Sequence, residues 1–271
     1  MPTTDDLSPQ LVDAAARRTA EIVERLRGRP DDDLTAPSQL PEWSRLTIVC
    51  HLRYGAAALG RMTSATVRGE PASYYPGGRA QVRPSTLVPR PDEQPADVVT
   101  SLAHRSDELH QLWSPLQASS WSIDLVEPAD NPDLGPVPLA RLPLLRLTEV
   151  EVHGSDLGLG LGDWSEVFVR AALPMRLDWL NRRRAPHRDF DATLDGAWLL
   201  MATDGPTYRV SVHGSEVESR PSHSNDDARA TIAGTSRDLL ALLLGRPALT
   251  PAVITGDRAF GAALSDAFPG P

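Results

Sequence analysis

Proline does most to limit how this chain can fold, because it breaks helix interiors and so marks where long helices cannot run. The 271 residues include 25 prolines, and in the first half these separate stretches of helical periodicity. Leu11, Ala14, Ala15, Ile22, Val23 and Leu26 recur at helical spacing until Gly28 and Pro30 stop them. A second helix is expected over about 44–68, with Ser44 as N-cap and Gly69 and Pro71 as the stop. From Pro71 to Pro95 there are six prolines and a Gly-Gly pair, which predict a loop ordered by tertiary contacts. Further helices are expected over about 96–116 and 138–161, and four helices with antiparallel neighbours make a bundle.

The texture changes near Gly162. One more helix, 166–184, leads into short β-type runs at 190–194, 198–202, 208–212 and 228–232, separated by turn signals such as Asp204-Gly205-Pro206 and His213-Gly214. A helix over 236–244, a strand over 252–255 and a final helix over 257–268 complete the pattern. The expected class is therefore α+β with two domains: a four-helix bundle over 1–162 and a small α+β domain over 163–271.

All 27 basic residues are arginine, and lysine is absent. That excludes Schiff-base and pyridoxal-phosphate chemistry, a Walker phosphate loop and a kinase-type lysine. With 36 acidic residues the formal charge is −9, which argues against nucleic acid or an anionic membrane as partner. The single cysteine, Cys50, allows no internal disulfide and no cysteine-rich metal knuckle, and it points to a cytoplasmic protein. Met1 to Leu7 is acidic and lacks an apolar signal core, and the longest apolar runs, such as 239–244, are too short to cross a bilayer. Arginine without lysine, among many alanines, suggests a GC-rich coding sequence.

Of seven histidines, one has a suggestive partner. Glu149 and His153 are four apart on the expected fourth helix, only about 40° apart around its axis, so a carboxylate and an imidazole can reach one metal. Glu151 lies on the far side of the same helix. His51 is the best third ligand, since it sits among Ile48, Val49, Leu52 and Ala56 to Ala58, where an unpaired imidazole is costly. Two histidines and a glutamate with one open position form a catalytic rather than a structural zinc site. The alternative is a surface Glu149–His153 pair with a hydrogen-bonded core His51.

Leu40-Pro41-Glu42-Trp43-Ser44 leading into Val49-Cys50-His51-Leu52 resembles the start of the second helix in mycothiol-dependent maleylpyruvate isomerase-like proteins. Arg146, Glu149, His153, Asp156 and Leu157-Gly158 resemble that family's fourth-helix motif, and Tyr74-Tyr75-Pro76-Gly77-Gly78-Arg79 resembles its loop after helix two. The resemblance spans nearly the whole chain. It implies a DinB-like bundle that binds a divalent metal, zinc above all, through two histidines and a glutamate, followed by a sterol-carrier-like domain.

It also implies a chemistry. A free thiol is only about 3% thiolate at pH 7, and a metal with an open position deprotonates a coordinated thiol. In the family that thiol is mycothiol, whose thiolate adds to a conjugated cis double bond; rotation and elimination then leave the trans alkene. Asp156, one turn beyond His153, is a candidate to orient a ligand, or else a solvated carboxylate near the helix end. Arg79 and Arg83 could bind a substrate carboxylate or the thiol, and Arg246 could complete the site from the second domain; ordinary surface arginine is the alternative. Cys50 reads as a buried inert thiol and Trp43 as packing at the helix start, with lining the site as the alternative, while His104, His110, His187, His213 and His223 carry no catalytic signal.

The expected function is thus a metal- and mycothiol-dependent isomerase acting on a small carboxylated electrophile, as a monomer or homodimer. The alternatives are a mycothiol S-transferase and a non-catalytic ligand-binding protein with a structural metal.

Overall fold

In a computed structural model, the described residues are 4–129, 134–135, 137–182, 192–214, 216–223 and 226–268. They divide into two compact units, 1–168 and 169–271. The first contains α1 (Thr4–Leu26), α2 (Asp31–Thr35), α3 (Arg45–Val67), α4 (Arg79–Thr86), α5 (Pro95–Trp113), α6 (Ala118–Trp121) and α7 (Arg141–Asp156). The long helices pack in a ring, α1 on α7, α7 on α3, α3 on α5 and α5 on α1, which is a four-helix bundle. None of the described helices is long and apolar enough to cross a membrane.

Local sequence accounts for most of these boundaries. Ser44 caps α3 by accepting a hydrogen bond from the Thr47 amide, as its position ahead of the apolar run predicted. α7 is shorter than expected at both ends. Pro138 is held in a bridge with Asp124, and Gly158 and Gly160 take left-handed φ values of 70° and 76° that end the helix. The proline-rich segment 71–95 is not a loop throughout. Gly77 and Gly78, at φ 93° and 97°, turn the chain into α4, and Pro84 lies in the last turn of that short helix, at the cost of one backbone hydrogen bond.

α8 (Glu166–Arg182) leads into the second unit. There a 3₁₀ turn (Ala192–Leu194) precedes β1 (Gly196–Ala202), β2 (Thr207–His213), β3 (Glu216–Ser222), β4 (Ala230–Gly234), α9 (Ser236–Leu243), β5 (Val253–Gly256), α10 (Arg258–Ala262) and α11 (Leu264–Ala267). The sheet order is β3-β2-β1-β4-β5, with β1 and β4 parallel and the other pairs antiparallel.

Here the sequence reading needs three corrections. The run at 190–194 is not a strand where it is described, since 192–194 is the 3₁₀ turn; 190, 191, the end of the preceding helix at 183–184 and His187 lie outside the described residues. β3 carries no apolar alternation because it is an edge strand, and Pro221 within it is tolerated there. The final helix is two short ones, α10 and α11, with Trp198 stacked on Phe260 at 4.0 Å and donating to its carbonyl.

In the first unit, α7 is locked to α1 by a buried ion pair. Glu151, 1% exposed, lies 2.9 Å from Arg18 Nε and accepts from the Ser165 amide, and Arg18 also reaches the Leu161 carbonyl. Burial pushes the Glu151 carboxyl above its ordinary range despite these partners. An ion pair in such surroundings fixes position more than it stabilises. Glu151→Ala is expected to cost about 3 kcal/mol in urea unfolding by stranding Arg18, and Arg18→Met/Glu151→Met should recover most of it.

Candidate metal centre

α3 and α7 run antiparallel, stitched where α3 starts and α7 ends. The Gln39 amide donates to the Asp156 carbonyl at 2.8 Å and Arg45 Nε donates to the Leu157 carbonyl at 3.0 Å. At the other end of the contact, Arg146 on α7 donates to the Leu52 carbonyl on α3 at 2.8 Å. Between these anchors His51 faces Glu149 and His153.

His51 Nε2 lies 2.6 Å from Glu149 Oε2, and His153 Nε2 lies 3.6 Å from the same oxygen. The three ligand atoms all fall within 4.8 Å of one another. A tetrahedral ion with bonds of about 2.0–2.2 Å holds its donors about 3.4 Å apart, so this N₂O set fits a zinc-like ion with small side-chain adjustments. His153 Nδ1 is 2.9 Å from the buried Asp156 carboxylate. A carboxylate can only accept, so that nitrogen carries the proton and the Nε2 lone pair faces the cluster.

The carboxylate at the centre is held ionised. Burial would raise the Glu149 pKa, but in the acidic range where this carboxyl titrates the positive charges on the His51 and His153 rings, the hydrogen bond with His51 and the guanidinium of Arg146 outweigh it and bring the pKa down to about 2. Arg146 itself is fully enclosed, and burial lowers it to about 10 against the opposing pull of Tyr74 and Glu149. It also donates to Ser106 Oγ at 3.0 Å. Burial likewise pushes the Tyr74 phenol well above its ordinary range. Gly55 makes room for the Tyr74 hydroxyl, which a Cβ there would meet at 2.9 Å.

Trp43 lies against the cluster, the alternative to simple packing at the helix start. Its ring stacks on His153 at 5.8 Å and meets His51 edge-on at 5.5 Å. A tight turn places it there: the Trp43 amide bonds back to the Leu40 carbonyl, with Pro41 and then Glu42, at φ 65°, in the central positions. A Pro-x pair in that register is a turn signal, but only the folded bundle shows what the turn aims at.

The arginines separate. The Arg83 guanidinium lies 5.7 Å over the Trp43 ring and so borders the cluster. Arg79 sits over Tyr75 instead, at 5.4 Å. Arg246 follows α9 in the second unit, where it donates to the Leu244 carbonyl at 3.1 Å. His104 and His110 pair with the acids Glu108 and Asp13, away from the cluster. Cys50 is wholly buried, and burial pushes its thiol up to about 11, so it is no nucleophile at neutral pH.

Comparison with known proteins fits this arrangement. The family described as "Mycothiol maleylpyruvate isomerase N-terminal domain" matches residues 12–158, more than half of the chain. The chain belongs to that family. Two solved structures resemble it in fold: a crystal structure of the mycothiol-dependent maleylpyruvate isomerase, at 20% identity, and one of a histidine-to-alanine mutant of it, at 19%. Each has a TM-score of 0.69 and covers 94% of this chain and 96% of its own. No curated protein matches.

Two outcomes test this geometry. A carboxyl lowered from 4.5 to about 2 stabilises the metal-free fold above pH 4.5, and that contribution fades as pH falls towards 2. The difference in urea midpoint between the parent protein and Glu149→Gln should therefore shrink between pH 5 and pH 3. The Cys50 thiol should resist alkylation in the native protein and react once it is unfolded in urea.

Proposed function

We propose that this protein is a metal- and mycothiol-dependent isomerase of the maleylpyruvate isomerase type, acting in the cytoplasm on a small carboxylated electrophile. The observation that carries the reading is the convergence of His51, Glu149 and His153, from two helices, within the region that matches the family. When bound, a zinc-like ion supplies the acidity that turns a thiol into a thiolate at neutral pH.

The chain's own residues have separable roles in this proposal. His51, Glu149 and His153 hold the ion. Asp156 fixes the His153 tautomer and ring orientation, and Arg146 and Tyr74 keep the back of Glu149 enclosed and electrostatically balanced. Trp43 shields the imidazole rings from solvent on one side. Arg83, and with it Arg79 and Arg246, are the proposed partners of substrate carboxylate and thiol polar groups, with Arg83 best placed. Residues 1–162 are taken as the DinB-like metal-binding unit and 163–271 as the sterol-carrier-like one, in a monomer or homodimer.

Zinc-loaded protein with mycothiol is expected to isomerise maleylpyruvate and return the thiol unchanged. Net thiol consumption would identify a transferase, and saturable apolar-ligand binding without turnover would identify a carrier. His51→Ala should abolish stoichiometric metal binding, read by metal analysis after dialysis. Asp156→Asn should weaken metal affinity about 10–100-fold while keeping the fold. Full metal retention in His51→Ala would refute the reading.

A further inference from the structure

α3 carries a second polar surface on the side away from His51. At about 100° per residue, Gly60, Arg53 and Ser64 lie roughly 140–180° around the helix from that histidine, and Arg61 stands about 80° from it at the edge of this surface. They open onto a cleft of about 950 Å³ between α3, α5 and the segments at 70–72 and 85–90. Neither His51, Glu149 nor His153 lines it. Small residues such as Ala57, Gly60 and Ala65 leave the space, and Leu109 and Leu112 on α5 give it apolar patches.

Its charge runs against that of the chain. Arg53, Arg61, Arg68, Arg90 and Arg105 all border the cleft, in a protein whose formal charge is −9. Three of these are already neutralised: Arg53 by Glu93 at 2.5 Å, Arg68 by Glu70 at 2.7 Å and Arg105 by Glu108 at 2.8 Å. Among the described residues, neither Arg61 nor Arg90 has a carboxylate within ion-pair distance. Arg61 leans over the Tyr54 ring at 5.6 Å and reaches the Tyr74 carbonyl at 3.3 Å, a long bond, and Arg90 uses its backbone amide on Glu93. Five guanidiniums against Glu70, Glu93 and Glu108 leave two positive charges.

We propose that this cleft is a second ligand site, separate from the metal centre, that takes a small organic dianion through Arg61 and Arg90. Guanidinium forks match carboxylate and phosphate-ester oxygens, and the volume and apolar patches suit a carbon-bearing ligand rather than a bare inorganic ion. Arg61 also links the cleft to the Tyr74 backbone, on the loop whose phenol encloses the Glu149 side of the metal centre.

Isothermal titration of the full-length protein at constant ionic strength, with succinate, phenyl phosphate and inorganic phosphate, tests this. At least one organic dianion should bind saturably, succinate marking a dicarboxylate site and phenyl phosphate a phosphate-ester site. Arg61→Gln/Arg90→Gln should weaken that binding at least 10-fold, Ala57→Trp should block it by filling the cleft, and Arg25→Gln, a remote exposed arginine, should leave it unchanged. His51→Ala should bind equally well. No saturation with either organic probe, or saturation with inorganic phosphate alone, would leave an adventitious ion only and overturn the proposal. So would binding that survives both cleft variants, or binding lost in His51→Ala, which would move the anion to the metal centre.

Discussion

An imidazole in a helical bundle needs a polar partner, and the chain Asp156–His153–Glu149–His51 supplies one at every step while crossing from α7 to α3. That continuity ties α7 to α3. α7 carries acids in two directions: Glu149 turns towards the imidazole of α3 and Glu151 towards the buried guanidinium of α1. Rotating α7 by one residue would strand a carboxylate on each side, so two polar contacts fix a rotation that apolar packing alone would leave loosely specified.

Around this chain, the electrostatics keep the central carboxylate charged. Arg146 lies one turn before Glu149 and is tied to the α3 backbone, so a cation stands behind the acid while the imidazoles stand in front. Gly55 permits the arrangement because it leaves space for the Tyr74 hydroxyl. Trp43 closes one side of the imidazole pair, positioned by a turn whose central residue, Glu42, is held at a φ that few side chains adopt.

Reading the sequence alone recovered the long helices well, since Ser44, Gly69 and the proline clusters are local signals with local causes. The proximity of Glu149 and His153 is legible for the same reason: spacing of four on a helix is a geometric statement. Less was legible where the cause is non-local. β3 is not legible because an edge strand can be polar, α4 because two glycines turn the chain within a proline-rich stretch, and the choice between packing and site-lining for Trp43 because the role of a turn depends on what it points at. Arg79 and Arg83 looked alike in sequence, yet one rests on Tyr75 and the other over Trp43.

The amino-acid sequence by itself determined the helical first half and mixed second half, the absence of lysine chemistry and disulfides, and the presence of a carboxylate–imidazole pair able to share an ion. Helix period, capping and residue inventory are properties of short segments, so they survive without a fold. The tertiary structure decided that His51 meets that pair from another helix, that Arg146 and Tyr74 stand behind it, and that Arg61 and Arg90, with no carboxylate within ion-pair distance among the described residues, share one cleft. Those facts depend on the antiparallel register of α3 against α7 and on the packing of α5, which bring together residues separated by up to about a hundred positions in the chain.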